Sequence, residues 1–203
     1  ENVVIKGVKA IDLSSKYTLN ITKATIKGST TAIYSTANGT NITVDQSTIT
    51  GTGDDGIYVE GSLAAITVTN TTVTAGDDGI VNKSTSGTLN VSDSIITSTT
   101  ATNGAALNIA NASGTSTIEN STLTGNKYGV YINSYSMTIS LQNNTIKSNN
   151  GVRVHDVYTS NNGKNNVTIT GGTIDGVTHG VYTNYSNITT SNVTIKTTGN
   201  SES

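Results

Sequence analysis

Two short segments carry the densest set of reactive groups in this chain. Gly53-Asp54-Asp55-Gly56-Ile57 is followed, 23 residues later, by Gly76-Asp77-Asp78-Gly79-Ile80. If the intervening residues make one closed circuit, Asp55 stands beside Asp78 and Asp54 beside Asp77. Carboxylates packed that closely repel, so either some hold their protons well above the usual range or a cation sits among them. Oxygen ligands of this kind suit Ca2+, which makes Asp54, Asp55, Asp77 and Asp78 the candidate metal ligands. Paired carboxylates are also what glycoside hydrolysis requires, and the catalytic candidates in that case are Asp55, Asp77 and Asp78. Asp-Asp-Gly ahead of a strand is equally ordinary turn chemistry.

A tyrosine line accompanies the carboxylates. All nine aromatic residues are tyrosine. One outward position reads Asp12, Tyr34, Tyr58, Val81, Ala106, Tyr131, Arg153 and Tyr182 in successive repeats. A neighbouring polar line reads Thr31, Asp55, Asp78, Asn103, Tyr128, Asn150 and His179. The candidate ligand-binding face is therefore Tyr34, Tyr58, Tyr131, Arg153, Tyr182, Asp55, Asp78, Asn103 and Tyr128. Aromatic rings, amides and carboxylates on one face suit an extended glycan. Aromatics and arginine also mark protein interfaces, and tyrosine favours strands in any case.

These positions have meaning only within a repeat. Ile5, Ile26, Ile49, Val73, Ile96, Leu123, Ile146, Ile174 and Ile195 recur at intervals of 21 to 28 residues. Five residues earlier runs a column of Ile21, Val44, Val68, Val91, Ile118, Leu141 and Ile169, which breaks at Thr190. Six to nine residues later runs a third, Ile11, Ile33, Ile57, Ile80, Ala105, Val130, Val152 and Val181. The segments are short and rich in Thr, Val and Ile, which reads as strands. Stacked coils bury such columns as a core that no single coil could make. The expected fold is all-β: a single-stranded parallel β-helix of about eight coils, three short strands per coil, forming one domain over residues 1–203.

The corners repeat too. A small or polar position, Ala24, Ser47, Thr71, Ser94, Ser121, Asn144 and Gly172, separates the Ile21 and Ile5 columns. A glycine position, Gly56, Gly79, Gly104, Gly129, Gly151 and Gly180, precedes the Ile11 column, where glycine would permit a positive φ. Two coils are longer than the rest, and the larger insertion, residues 155–164, predicts a protruding loop. Outward threonine columns (Thr25, Thr48, Thr72, Thr122, Thr145, Thr173, Thr194) cover another face. Lys27, Lys147, Asp175 and Lys196 interrupt the array beside them, which counts against ice binding. Such polar faces also suit rod-to-rod association.

Composition excludes several classes. There is no cysteine, so neither a disulfide framework nor a thiolate metal site. The 11 basic and 13 acidic residues form no block, which argues against a nucleic-acid surface. No apolar run approaches a membrane span. Proline is absent, as suits a chain of ladder-bonded strands.

The unit Asn143-Asn144-Thr145-Ile146 followed by Asn150-Gly151-Val152-Arg153-Val154 resembles the repeat of the right-handed parallel β-helix (pectate-lyase-like) superfamily. The resemblance covers almost the whole chain, and right-handedness is taken from it. That superfamily holds pectate lyases, polygalacturonases, autotransporter passengers and bacterial surface adhesins, so it implies a fold more than an activity. The Asp doublets are similar to polygalacturonase motifs: Asp55 falls on the aspartate of Asn-Thr-Asp, and Asp77 and Asp78 on Gly-Asp-Asp. The pattern then departs. Gly53 and Asp54 replace Asn and Thr, Thr102-Asn103-Gly104 has no histidine, and Tyr131-Ile132-Asn133 stands where that family has Arg-Ile-Lys. The nearest match, Arg153-Val154-His155, sits one coil further on. The resemblance therefore implies a segment of a larger secreted or bacterial cell-surface adhesin that binds polysaccharide or host glycans without a required cofactor, Ca2+ aside. A hydrolase or lyase acting on acidic polysaccharide and a self-associating autotransporter passenger are the alternatives.

Overall fold

The structure is a computed structural model that describes residues 3–99, 102–110, 113–156 and 164–199. Every paired strand runs parallel to its partner. The chain winds as a β-solenoid of about eight turns, with three strand positions per turn. One sheet carries the Ile5 column, through strands such as Val3–Gly7, Ala24–Gly28, Thr48–Gly51 and Thr72–Ala75. A second carries the Ile11 column, through Ile11–Leu13, Ile33–Ser35, Ile57–Ser62 and Ile80–Thr85. The third is eight-stranded and carries the Ile21 column from Thr18–Thr22 to Asn187–Ser191. In two later turns the first two strand positions fuse into single strands, Thr145–Asp156 and Thr173–Asn184, which join those sheets.

Alternation explains the packing. In Ile57–Ser62 the side chains of Ile57 and Val59 turn inward and are fully buried, while Tyr58 and Glu60 turn outward. Stacked neighbours add Ile33, Ile80, Ile109, Val130, Ile132, Val152 and Val154 to the same continuous core. Each added turn extends the rod by about 4.8 Å. Ile5 and Ile195, in the first and last described turns, remain 36% and 43% exposed because each has a neighbour on one side only.

Three expectations are corrected. Leu107, not Ala105, occupies the Ile11 column: it pairs with Ile80 on one side and Val130 on the other. The turn is two residues longer before this column than an alignment on Gly104 allows. Asn108 therefore replaces Ala106 in the outward tyrosine line, between Val81 and Tyr131, and Ala105 takes the place given to Asn103, opposite Tyr128.

The glycine corners are also different. Gly56, Gly79, Gly129, Gly151 and Gly180 do not have positive φ. Glycine is needed there for space. A Cβ on Gly56 would lie 2.6 Å from the carbonyl oxygen of Gly79 and would collide with Val73, and one on Gly129 would collide with Ile146. The left-handed conformation belongs to the other two corners: between the Ile21 and Ile5 columns Lys23, Gln46, Asn70, Asp93, Asn120, Asn143 and Asn192 have φ between 48° and 52°, and after the Ile11 column Leu63, Ser86, Ser136 and Tyr185 have φ between 53° and 65°. Finally, His155 and Asp156 extend the backbone of a strand instead of opening a loop. Residues 157–163 of the expected loop lie outside the described residues.

Candidate functional site

Behind the left-handed corner of Lys23, Gln46, Asn70 and Asp93 runs a side-chain ladder. The amide N–H of Ala24 donates to Ser47 Oγ at 3.1 Å, Ser47 N–H to Thr71 Oγ1 at 3.2 Å, and Thr71 N–H to Ser94 Oγ at 3.1 Å. Ser94 N–H donates to Ser121 Oγ at 3.1 Å, and Ser121 N–H to Asn144 Oδ1 at 2.9 Å. Each hydroxyl in turn donates to the carbonyl two residues before it, as Ser94 Oγ does to Ser92 O at 2.7 Å. Asn144 Nδ2 closes the series on Ile118 O at 2.8 Å. Donors and acceptors are thus matched in a region closed to water.

The aspartate corner uses a related device with charged residues. Asp78 N–H donates to Asp55 Oδ1 at 3.1 Å, and Ala105 N–H to Asp78 Oδ1 at 2.7 Å. The other oxygen of Asp78 accepts from Asn108 Nδ2 at 2.6 Å. Asp55 and Asp78 are 6% and 9% exposed. Burial, reinforced by Asp54, Asp78 and Asp77, pushes the Asp55 carboxyl up to about 7. Burial also raises Asp78, against the opposing hydrogen bonds from Asn108 and Ala105.

The register brings all four carboxylates to one corner but does not make them equivalent. One oxygen each from Asp54, Asp55 and Asp77 lie within 4.8 Å of one another, a spacing that suits a shared oxygen-ligated cation. Asp78 instead spends its oxygens on Ala105 and Asn108.

The tyrosine line is broken into two groups. Tyr34 and Tyr58 stack face to face, with ring centres 5.1 Å apart. Lys9 from the preceding turn lies over Tyr34, 3.3 Å from the ring centre, and Lys83 from the following turn lies over Tyr58 at 4.9 Å. Tyr58 also hydrogen-bonds Glu60. The flat faces of this pair are thereby covered by cations and by each other. The second group begins three turns later. Tyr128 and Tyr131 stack at 4.6 Å, and Arg153 lies 5.6 Å from the Tyr128 ring and 5.1 Å from that of Tyr182. His179 meets Tyr182 edge-on and pairs through Nδ1 with Asn150 Oδ1 at 2.9 Å.

Between the two groups the line passes through Val81 and Asn108, and a cleft of about 310 Å3 opens. Asp77, Asp78 and Asn108 line it, with Tyr128 and Tyr131 also in its wall. Lys127 and Asn103 stand at its edge, joined by a Lys127 Nζ to Asn103 Oδ1 bond of 2.8 Å. Of the residues expected on the face, Asp78, Asn103, Tyr128 and Tyr131 meet in the cleft. Asp55 lies in the adjoining turn, while Tyr34, Tyr58, Arg153 and Tyr182 lie outside the lining. Asn108 and Lys127 were not expected. Asn108 was hidden by the two-residue misregister, although Leu107-Asn108-Ile109 matches the alternation of Ile57-Tyr58-Val59 better than Ala105-Ala106-Leu107 does.

Comparison with known proteins agrees with the winding. Neither curated proteins nor solved structures give a match to this chain. The family described as right handed beta helix region matches residues 7–163. The parallel solenoid and this match together place the chain in the right-handed β-helix family.

Proposed function

We propose that this β-helix is a binding module of a secreted or cell-surface adhesin, and that its ligand is a polysaccharide or host glycan lying along the tyrosine–aspartate face. The observation that carries the reading is the cleft between the two tyrosine groups. Its volume, about 310 Å3, falls at the lower end of the range of small-ligand sites. It combines an aromatic wall with carboxylate, amide and ammonium groups, the mixture that a sugar's C–H face and hydroxyls require. A cation held by Asp54, Asp55 and Asp77 would lie in the adjoining turn and would relieve the repulsion there.

Two observations favour binding over hydrolysis. Asp78 is held by a backbone amide and an asparagine. Ala105 and Asn108 occupy the turn where the polygalacturonase pattern calls for histidine.

The test is a glycan array followed by calorimetric titration of the best ligand. Tyr131→Ala should weaken binding by about tenfold, equivalent to roughly 1.4 kcal/mol. Tyr58→Ala should change it far less, because that ring is already covered on both faces. Failure of the wild-type protein to bind any glycan refutes the reading. Release of reducing ends or unsaturated products, lost in Asp77→Asn, would establish an enzyme in its place.

A further inference from the structure

The four carboxylates of Asp54, Asp55, Asp77 and Asp78 lie toward the N-terminal side of the face, where Lys9 and Lys83 cover Tyr34 and Tyr58; Lys127 and Arg153 lie toward its C-terminal side. Arg153 follows Tyr131 in register and precedes Tyr182. Its guanidinium packs against the Tyr128 and Tyr182 rings. Its Nε–H is buried with no hydrogen-bond acceptor. Among the described side chains, which do not include those of His155 and Asp156, no carboxylate pairs with it; the ion pair found there is Lys9–Asp12 at 3.6 Å. Arginine is the side chain whose planar fork matches an oxyanion in two parallel hydrogen bonds. Aromatic packing on its faces restrains that plane and excludes water from it, which strengthens the pairing of its remaining N–H groups with an incoming anion.

We propose that Arg153 is an oxyanion-recognition position, taking the carboxylate or sulfate substituent of an acidic glycan that lies along the same face. The inference rests on the glycan-binding reading and sharpens it to an anionic ligand. Lys127, 5.3 Å from the centre of the Tyr128 ring, extends the positive field toward the cleft. The acidic corner lies three turns away, on the order of 14 Å along the rod. An anionic substituent at Arg153 is thus well separated from the carboxylates, and at 0.15 M salt their repulsion is screened over about 8 Å.

Binding to polygalacturonate, dextran sulfate and neutral dextran, measured by titration calorimetry at one ionic strength, tests the proposal. One or both acidic polymers should bind at least about tenfold more tightly than dextran, and whichever does so identifies carboxylate or sulfate as the recognised group. Arg153→Gln should abolish that preference. Arg153→Lys keeps the charge but loses the planar fork, and should weaken acidic binding by about tenfold. Lys147→Gln, on another face, should leave it unchanged. Melting temperatures of each variant separate lost recognition from lost folding. Acidic polymers binding no better than dextran, or Arg153→Lys and Arg153→Gln both binding as wild type, would overturn the assignment. If dextran also binds, the glycan reading survives that result. If none of the three binds and the array is blank, both fall.

Discussion

Two of the three corners of the solenoid solve one problem in opposite ways. Both must satisfy backbone amides where the chain bends out of its sheet. The Ser/Thr corner uses neutral hydroxyls, each accepting from one turn and donating back to its own. The aspartate corner uses carboxylates, which accept only and repel one another. The first ladder runs unchanged from Ala24 to Asn144. The second is confined to the turns of Asp55 and Asp78 and ends on Asn108. Four acids at one corner, kept at a stability cost beside a cleft, are the feature on which the proposed binding site rests.

That contrast predicts which substitutions hurt and under what conditions. Asn144→Ala should have the largest effect. It strands the Ser121 N–H and the Ile118 carbonyl, both buried. At about 1–3 kcal/mol for each orphaned group, the loss should be roughly 4 kcal/mol by urea unfolding. Because no titrating group is involved, the loss should be the same at pH 4 and pH 8. A strongly pH-dependent loss would break the distinction between the corners.

Asp55→Asn should act in the other direction. The folded-state pKa of Asp55 is raised to about 7, above its unfolded value. Below about pH 4 the group is protonated in both states and costs nothing. As pH rises toward 7 the unfolded chain ionises first, and stability falls until the folded group ionises too. Asparagine keeps the acceptor for the Asp78 N–H and removes the charge. The variant should therefore be more stable at pH 8 by about 2–3 kcal/mol, with the gain vanishing near pH 4. Millimolar Ca2+ should raise the melting temperature of the wild type at pH 8 and do much less for this variant. No Ca2+ response in the wild type would remove the metal from the account of the site and leave the repulsion in place.

How much of this was legible depends on which physics set each position. The apolar columns were, because burying Ile26, Ile49 and Val73 against one another fixes spacing along the chain directly. The adjacency of the Asp doublets followed from the same register. Leu107 was missed because the inserted residues fall between strands, where spacing is free and glycine is an unreliable marker. Gly56 and Gly79 were recognised as a corner but for the wrong reason, since a tight approach and a left-handed backbone both select glycine. The covering of Tyr34 and Tyr58 by Lys9 and Lys83 depends on long side chains crossing between turns, which no column of identities encodes. The small-or-polar column was visible in sequence. Its role was not, because one hydroxyl does two jobs only once the turns are stacked.

Asn108→Ala gives the smallest effect and the finest discrimination between the corners. The amide of Asn108 stabilises ionised Asp78, working against the burial that raises its pKa. Its removal raises that pKa further, so the folded state should lose stability at pH 8. Asn108 is only partly buried, so water replaces much of the lost bond. The loss should be about 1 kcal/mol, at the low end for a bond to a charged group. Below about pH 4, with Asp78 protonated in both states, it should shrink toward zero. Asn144 and Asn108 are thus chemically identical side chains that each end a ladder. If Asn108→Ala costs the same at both pH values, Asp78 is not ionised in the native corner. The proposed binding cleft would then present a neutral acid at Asp78.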